Sequence, residues 1–178
     1  MAEETKERWL SYLALTTVVL AVCATLSTFK GAGYSTRSVL SQTQAANQWA
    51  YYQSKSIKGY LYEIQKESLE LESKKDRAKG SKILSGEYEN KIELYSQKIK
   101  RYDEEKAVIS NDAKKLESIR DEALKHSQIF GLAVIFLQIA ILLSAIAALL
   151  KKKYVWVLGL GTGFVGLVYF ANGFLLIF

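Results

Sequence analysis

Proline is absent from the 178-residue sequence, and cysteine, histidine and methionine each occur once. A single cysteine excludes an intramolecular disulfide framework, and one histidine beside it leaves too few ligands for a zinc or haem site. Proline makes up about 5% of an average protein, so its absence indicates long unbroken helices with few tight turns. We therefore predict a helical chain that holds no metal.

Sequence patterns of enzymes are also missing. The chain has no Ser/His/Asp set, no nucleotide-binding glycine loop and no alternation of strands with helices. Neighbouring carboxylates such as Glu104 and Glu105 occur, but in a highly charged helical stretch. We predict a protein that is not an enzyme, with no catalytic residues and no cofactor.

Charge is absent from three long apolar runs, at 9–29, 129–150 and 154–178. A helix needs about 20 apolar residues to cross the hydrocarbon core of a bilayer, and each run reaches that length. Only a basic turn of three lysines, 151–153, separates the last two runs, which predicts a tight transmembrane hairpin. A polar tail, 1–8, precedes the first run. We interpret that run as an uncleaved anchor, because Val22 is larger than the residue expected before a lipidated cysteine.

Small residues recur at helical spacing in all three runs, a pattern that lets helices approach closely in lipid. They either close a three-helix bundle within one chain, which we favour, or form contacts between subunits. The candidate packing positions are Ala14, Ala21, Ala140, Ser144, Gly159, Gly163, Gly166 and Gly173.

Two uncharged polar residues, Gln138 and Asn172, lie inside the runs. Polar groups in a membrane are often functional, so they are candidates for lining a pore. Interhelical hydrogen bonding is the interpretation that we favour. The runs contain no ionisable Asp, Glu, Lys, Arg or His, which argues against a proton-coupled transporter.

The polar insertion between the first two runs predicts a linker over 30–40, where two glycines accompany several Ser and Thr residues. A helical hairpin follows over 41–128, with its turn near 80–86 at Gly80 and Gly86. The first helix places an apolar face on Ala46, Ala50, Ile57, Tyr60, Ile64 and Leu71. The second helix has a heptad seam that runs from Tyr88 to Ala123. Together these features predict an all-α membrane protein with a long antiparallel coiled-coil hairpin between its first two transmembrane helices.

Two helices bury only a narrow stripe, which is marginal for independent stability. We therefore expect hairpins of neighbouring subunits to pack together and the protein to be a homo-oligomer. Basic residues near the tip, including Lys74, Lys75 and Arg77, alternate with acidic ones. Such mixed charge is typical of a solvated helix face, so we expect no nucleic-acid partner.

The stretch AANQWAYYQSKSIK, at 45–58, is more distinctive than its composition requires. Together with the preceding anchor, the charged hairpin and the final GLGTGFVGLVYF, it resembles the bacterial membrane-protein family catalogued as domain of unknown function 4337. The resemblance implies a bacterial membrane protein with coiled-coil character, and it implies no reaction and no active-site residue.

The same stretch supplies a candidate interaction patch of aromatic, amide and cationic residues. Spacing places Trp49, Tyr52 and Gln53 near one helix face, and Tyr51, Lys55 and Lys58 on another. Three interpretations remain open: packing at the base of the hairpin, contact with a neighbouring subunit, or a site for lipid headgroups.

For function, we predict a scaffold or partner-binding module that self-assembles through its transmembrane seams and its hairpin. A pore or transport component, or a regulatory subunit of another membrane complex, is the alternative. The expected partners are membrane lipid, further copies of the chain and an unidentified protein. The basic turn 151–153 favours a cytoplasmic location for itself in the bacterial inner membrane, with the hairpin in the periplasm. The basic residues just before the second run, Lys114, Lys115, Arg120 and Lys125, argue for the opposite orientation.

Overall fold

A computed structural model describes the backbone over residues 2–78 and 83–177, and side chains over 8–77 and 86–177. Three helices account for almost all of this range: α1 at Ala2–Ala78, α2 at Ile83–Leu150 and α3 at Lys153–Leu175. The described residues contain no strand, so the all-α prediction is confirmed. Each helix contains a segment long and apolar enough to cross a membrane.

The chain divides into two compact units. The first, which we call the three-helix unit, consists of Met1–Leu40 and Ile119–Phe178. The second, the two-helix unit, is Ser41–Ser118 and contains the end of α1 and the start of α2.

The core of the three-helix unit is built from a few apolar side chains and many small ones. One cluster joins Leu20 and Ala24 of α1 to Leu137 and Ala140 of α2, with Leu167 of α3 against it. A second cluster, near the other end of the helices, contains Trp9, Leu13 and Ala147. Because small residues occupy the contact lines, the three backbones pack closely.

Glycines of α3 mark its closest approach to α2. A Cβ atom added at Gly166 would stand 2.8 Å from Leu137 Cγ, and one at Gly173 would stand 2.7 Å from Phe130 Cε1. No side chain larger than hydrogen fits there without movement. These glycines therefore set the distance between the two helices.

The turn between α2 and α3 lies at Lys151 and Lys152. Lys151 adopts a left-handed conformation with φ of 52°. Its N–H bonds to the Ala148 carbonyl at 3.4 Å, and the Lys152 N–H bonds to the Ala147 carbonyl at 3.2 Å. This pair of bonds is a Schellman motif, which satisfies carbonyls that the end of a helix leaves unpaired. The third lysine of the predicted turn already begins α3.

The predicted linker at 30–40 was wrong, because α1 continues through it without interruption. Gly31 explains the error. A Cβ at Gly31 would lie 3.2 Å from Phe130 Cβ, so the glycine allows close helix packing rather than a bend. A glycine in a long helix costs only about 1 kcal/mol relative to alanine, and no proline interrupts the helix here.

The predicted turn at 80–86 was too long at its far end. Helix α2 begins at Ile83, so Ser85 and Gly86 are helical, and 80–82 lie outside the described residues. Gly86 has no neighbouring atom within 4 Å of where a Cβ would stand. An isolated glycine of this kind weakens a helix but does not end it.

In the two-helix unit, the two helices run antiparallel. Near the two ends of this unit, at Ser41 and Ser118, Trp49 of α1 contacts Glu117 of α2. At the opposite end, Arg77 near the end of α1 contacts Glu89 near the start of α2. Between them, Gly59 lies beside Tyr102. The contact line is therefore polar and aromatic over much of its length.

Candidate functional site

The residues predicted as an interaction patch divide into two groups in the two-helix unit. Trp49, Tyr52 and Lys55 face α2, whereas Tyr51 is half-exposed and Gln53 and Lys58 are exposed. The expected grouping of Gln53 with Trp49 and Tyr52 was wrong. One residue along a helix corresponds to a rotation of about 100°, which carries Gln53 out of the contact with α2.

The indole of Trp49 anchors the inward-facing group. Its Nε1–H donates a hydrogen bond to Glu117 Oε1 at 2.9 Å. Its ring packs edge to face with the Tyr52 ring, with centroids 5.6 Å apart. Tryptophan has a single polar atom, and burying that atom against a carboxylate leaves no donor unpaired. In this chain, Trp49 therefore has a structural contact and presents no free polar group for a ligand.

Lys55 and Glu105 form the central ion pair of the two-helix unit. Lys55 Nζ lies 2.6 Å from Glu105 Oε2, while Arg101 Nε donates to Glu105 Oε1 at 2.8 Å. The hydrogen bond from Lys55, followed by that from Arg101, holds the pKa of the Glu105 carboxyl below its ordinary value. The hydrogen bond with Glu105, followed by that with Tyr51, raises the pKa of Lys55. Both groups are therefore charged at neutral pH.

Tyrosines and lysines continue the contact line toward the far end of the unit. The Tyr62 ring stacks on the Tyr102 ring, with centroids 5.9 Å apart, and its centroid lies 5.3 Å from that of Tyr95. The ammonium of Lys98 lies 4.7 Å from the Tyr62 ring centroid and donates to the Tyr62 hydroxyl at 3.2 Å. Cation–π contacts of this kind contribute roughly 0.5–1 kcal/mol each at exposed sites. The heptad spacing of Tyr95 and Tyr102 was visible in the sequence, but their partner on α1 was not.

The apolar face predicted for α1 turns away from α2. Ala46, Ala50 and Tyr60 are exposed, and the Tyr60 ring lies near α2 at the ammonium of Lys106, 5.9 Å from the ring centroid. We define the apolar row of α1 as four large side chains of this exposed surface. They are between 54% and 63% exposed and comprise Ile57, Leu61, Ile64 and Leu71.

The spacing of the apolar row is four, three and seven residues, which is the a/d pattern of a helix that packs against another helix. The predicted coiled-coil hairpin would bury this apolar face against α2. The contact with α2 is made by aromatic, polar and small residues instead, so the apolar row has no covering element in the described part of the chain.

In the three-helix unit, six of the eight predicted packing residues are buried between helices. They are Ala140, Ser144, Gly159, Gly163, Gly166 and Gly173. Ala21 is half-buried and Ala14 is exposed. Within one chain, the four predicted glycine positions of α3 are therefore occupied by contacts with its own helices, whereas Gly161 is exposed.

Asn172 closes the end of α3. It is buried, its Oδ1 accepts the Ile177 N–H at 2.7 Å, and its carbonyl accepts the Leu176 N–H at 2.8 Å. His126, buried on α2, approaches the same helix end, with Nδ1 2.7 Å from the Gly173 carbonyl oxygen. A carbonyl only accepts, so Nδ1 carries the proton. The cluster satisfies carbonyls at the end of α3.

Tyr34 stacks on His126, with ring centroids 4.3 Å apart. Neither residue was predicted as part of a site. The only available signal was that the sole histidine precedes an apolar run.

Gln138 differs from Asn172 in its exposure. Its side chain is exposed on the outside of α2, and the two residues do not meet. In the described part of the chain, no hydrogen bond joins the Gln138 amide to another group. The expected interhelical hydrogen bond is therefore not formed within one chain.

The described residues contain no cluster of three or more His, Cys, Asp or Glu side chains that could hold a metal ion. The surfaces that stand out are instead the apolar row of α1 and the exposed amide of Gln138. Both have the chemistry of contacts between helices.

A family model described as Domain of unknown function (DUF4337) matches residues 9–176. The match begins at the first apolar segment and ends just beyond α3, so it covers both units. No curated protein and no solved structure matches the chain.

Proposed function

Because the chain belongs to the DUF4337 family, whose description names no activity, we propose its function from its geometry: it is a membrane-anchored scaffold that self-assembles through helix contacts. The three-helix unit is the membrane anchor. The two-helix unit presents the apolar row of α1 to further copies of the chain.

The outer surface of the three-helix unit supports membrane insertion. Large apolar side chains cover it on all three helices, and this is too much apolar surface for a monomer in water. In a bilayer the same side chains meet lipid tails, and the small-residue contacts inside the unit are typical of helices packed in lipid. Examples are Val18, Val22, Leu142, Leu149, Phe164 and Val168.

The observation that carries the scaffold proposal is the exposure of the apolar row. In an isolated pair of helices, the most apolar face of α1 would be expected to meet α2. Here α1 meets α2 through Trp49, Lys55 and Tyr62, and the apolar row remains outside. A row with a/d spacing is suited to another helix, since it offers knobs every three or four residues.

Another copy of the chain is the occupant that this arrangement favours. Each copy anchored in one membrane brings an identical row to a similar height, which raises the local concentration of matching surfaces. Each copy has one apolar row, so a closed symmetric assembly can cover the row of every copy. We propose that the two-helix unit lies on the side of the membrane opposite the basic turn, in the periplasm of a bacterial cell.

The test is the mass of the complex extracted into lipid nanodiscs, measured by native mass spectrometry. The wild-type chain should form a discrete homo-oligomer. Ile64→Glu places an unpaired charge in the row and should weaken assembly at least about tenfold, because burying an uncompensated charge is unfavourable. Gln65→Glu is the matched control, since it adds the same charge at an exposed position outside the row. A wild-type monomer, or equal assembly by both variants, would refute the proposal.

The pore alternative draws less support from the site. The side chain of Asn172 is buried against its own helix end, so it does not line a passage. Of the two predicted candidates, Gln138 alone is exposed.

A further inference from the structure

We propose that the exposed amide of Gln138 pairs with Gln138 of a second copy, at the middle of the hydrocarbon layer. The inference rests on the proposed function, because it requires a membrane-inserted chain that self-assembles. It specifies which surface of the three-helix unit forms the contact.

Depth makes the exposed amide unfavourable in a single chain. Gln138 lies nine residues after Ile129 and twelve before Leu150, which correspond to about 13 Å and 18 Å along a helix. A glutamine side chain with two methylene groups cannot carry its amide that far to the headgroups. In hydrocarbon the amide would lose its hydrogen bonds to water without replacement.

Other polar side chains of the apolar segments solve this problem within their own helix. The hydroxyls of Thr17, Ser27 and Ser144 each donate to the carbonyl four residues earlier, at 2.8–2.9 Å. The amide of Asn172 accepts from the chain beyond α3. Gln138 has no such bond among the described residues, so its partner must come from another molecule.

The chemistry of the amide selects a second copy as that partner. A primary amide carries both donors and an acceptor, so two amides related by a two-fold axis form two reciprocal hydrogen bonds. An axis along the membrane normal brings α2 beside α2 of the other copy in parallel, with both Gln138 residues at one depth. The ionisable residues that flank the apolar segments are too far from this depth to compete.

The surface around Gln138 provides the room that such a contact needs. Gly131 and Ala145 lie seven residues before and after it, hence nearly in line on the helix, and both are exposed. A Cβ at Gly131 would meet nothing within 4 Å. Beside it runs an open groove of about 350 Å³, which has small residues of α1 and α2 along its walls, including Gly31, Ser35, Ser127 and Gly131.

Cysteine cross-linking of the full chain, reconstituted alone into phosphatidylcholine vesicles, tests the pair. The background is Cys23→Ala. Ala145→Cys should cross-link between copies on oxidation, whereas Ile139→Cys should not, because Ile139 is exposed but rotated by about 100° from Gln138. Adding Gln138→Leu should lower the cross-linked fraction at Ala145→Cys about tenfold. Ile135→Leu, an apolar exchange on the same face, should leave it unchanged.

The possible results separate this inference from the proposed function. Cross-linking that is unchanged by Gln138→Leu, or equal at both cysteine positions, overturns the glutamine pair. If native mass shows an oligomer that is equally stable with Gln138→Leu, self-assembly stands and the pair is refuted. A wild-type monomer refutes both. An ion flux that requires Gln138 would place the amide in a pore and would also overturn the pair.

Discussion

Gly166 offers the sharpest test of how the three-helix unit is held together. An added Cβ would lie 2.8 Å from Leu137 Cγ and 3.0 Å from the Leu137 backbone nitrogen. Leu137 is fully buried, so its side chain has no space into which to withdraw. The nitrogen can move only if α2 moves with it. Gly166→Ala must therefore separate α2 and α3 at this level.

The size of the effect follows from two opposing contributions. Overpacking a core usually costs about 1–3 kcal/mol, and a clash with backbone belongs near the upper end. Alanine recovers roughly 1 kcal/mol, because it favours a helix more than glycine does. We expect Gly166→Ala to lose about 1–2 kcal/mol. Gly161→Ala, in the same helix but with nothing within 4 Å of the new Cβ, should gain about 0.5–1 kcal/mol.

The free energy of unfolding of both variants can be measured by adding increasing SDS to the purified protein in mixed micelles. Trp9 and Trp156, with ring centroids 6.4 Å apart, report on the three-helix unit, and Trp49→Phe removes the signal of the two-helix unit. If Gly166→Ala proved as stable as the parent chain, α2 and α3 would not be in the close contact described. A gain in stability equal to that of Gly161→Ala would show that helix propensity alone decides the effect.

Three further predictions address other parts of the chain. Lys151→Gly should stabilise the three-helix unit by roughly 0.5–1 kcal/mol in the same unfolding assay, because glycine relieves the left-handed φ, whereas Lys152→Gly, at ordinary φ, should not. The lowered pKa of Glu105 means that its carboxylate stabilises the folded two-helix unit above the carboxyl pKa of the unfolded chain, and that this stabilisation is lost as pH falls through the folded pKa. Circular dichroism of wild type should therefore show a loss of helix stability in acid that Glu105→Gln lacks. With Cys23→Ala as background, an impermeant maleimide added outside intact cells should label Asn90→Cys but not Lys152→Cys; the reverse pattern would invert the proposed topology.

The sequence predicted the helices well but did not predict which surfaces of those helices pack together. Run length alone was enough to predict three apolar helices, because crossing a bilayer sets a length that few other structures need. The linker prediction failed because glycine was treated as a local signal of flexibility. At Gly31 the glycine instead makes room for Phe130, a residue about one hundred positions away.

The apolar row shows a second limit of sequence analysis. The helical spacing of apolar residues places Ile57, Ile64 and Leu71 on one face of α1, but this spacing does not determine which face of α1 packs against α2. That choice depends on side chains of both helices, such as Tyr62 with Lys98. The contact of His126 with Gly173 was equally hidden, because it exists only where two distant segments converge.

The short Schellman turn has a consequence for synthesis. Because α2 and α3 are joined by two residues, their contacts, from Ser144 with Gly159 to Phe130 with Gly173, connect positions close in the chain. Local contacts of this kind form early, since little loop entropy is lost. The contacts of α1, such as Leu20 with Gly163, bridge most of the chain. Of the three helices described, α1 is therefore synthesised first and completes its packing last. In the proposed membrane-anchored state, α1 packs only after the hairpin of α2 and α3 has formed.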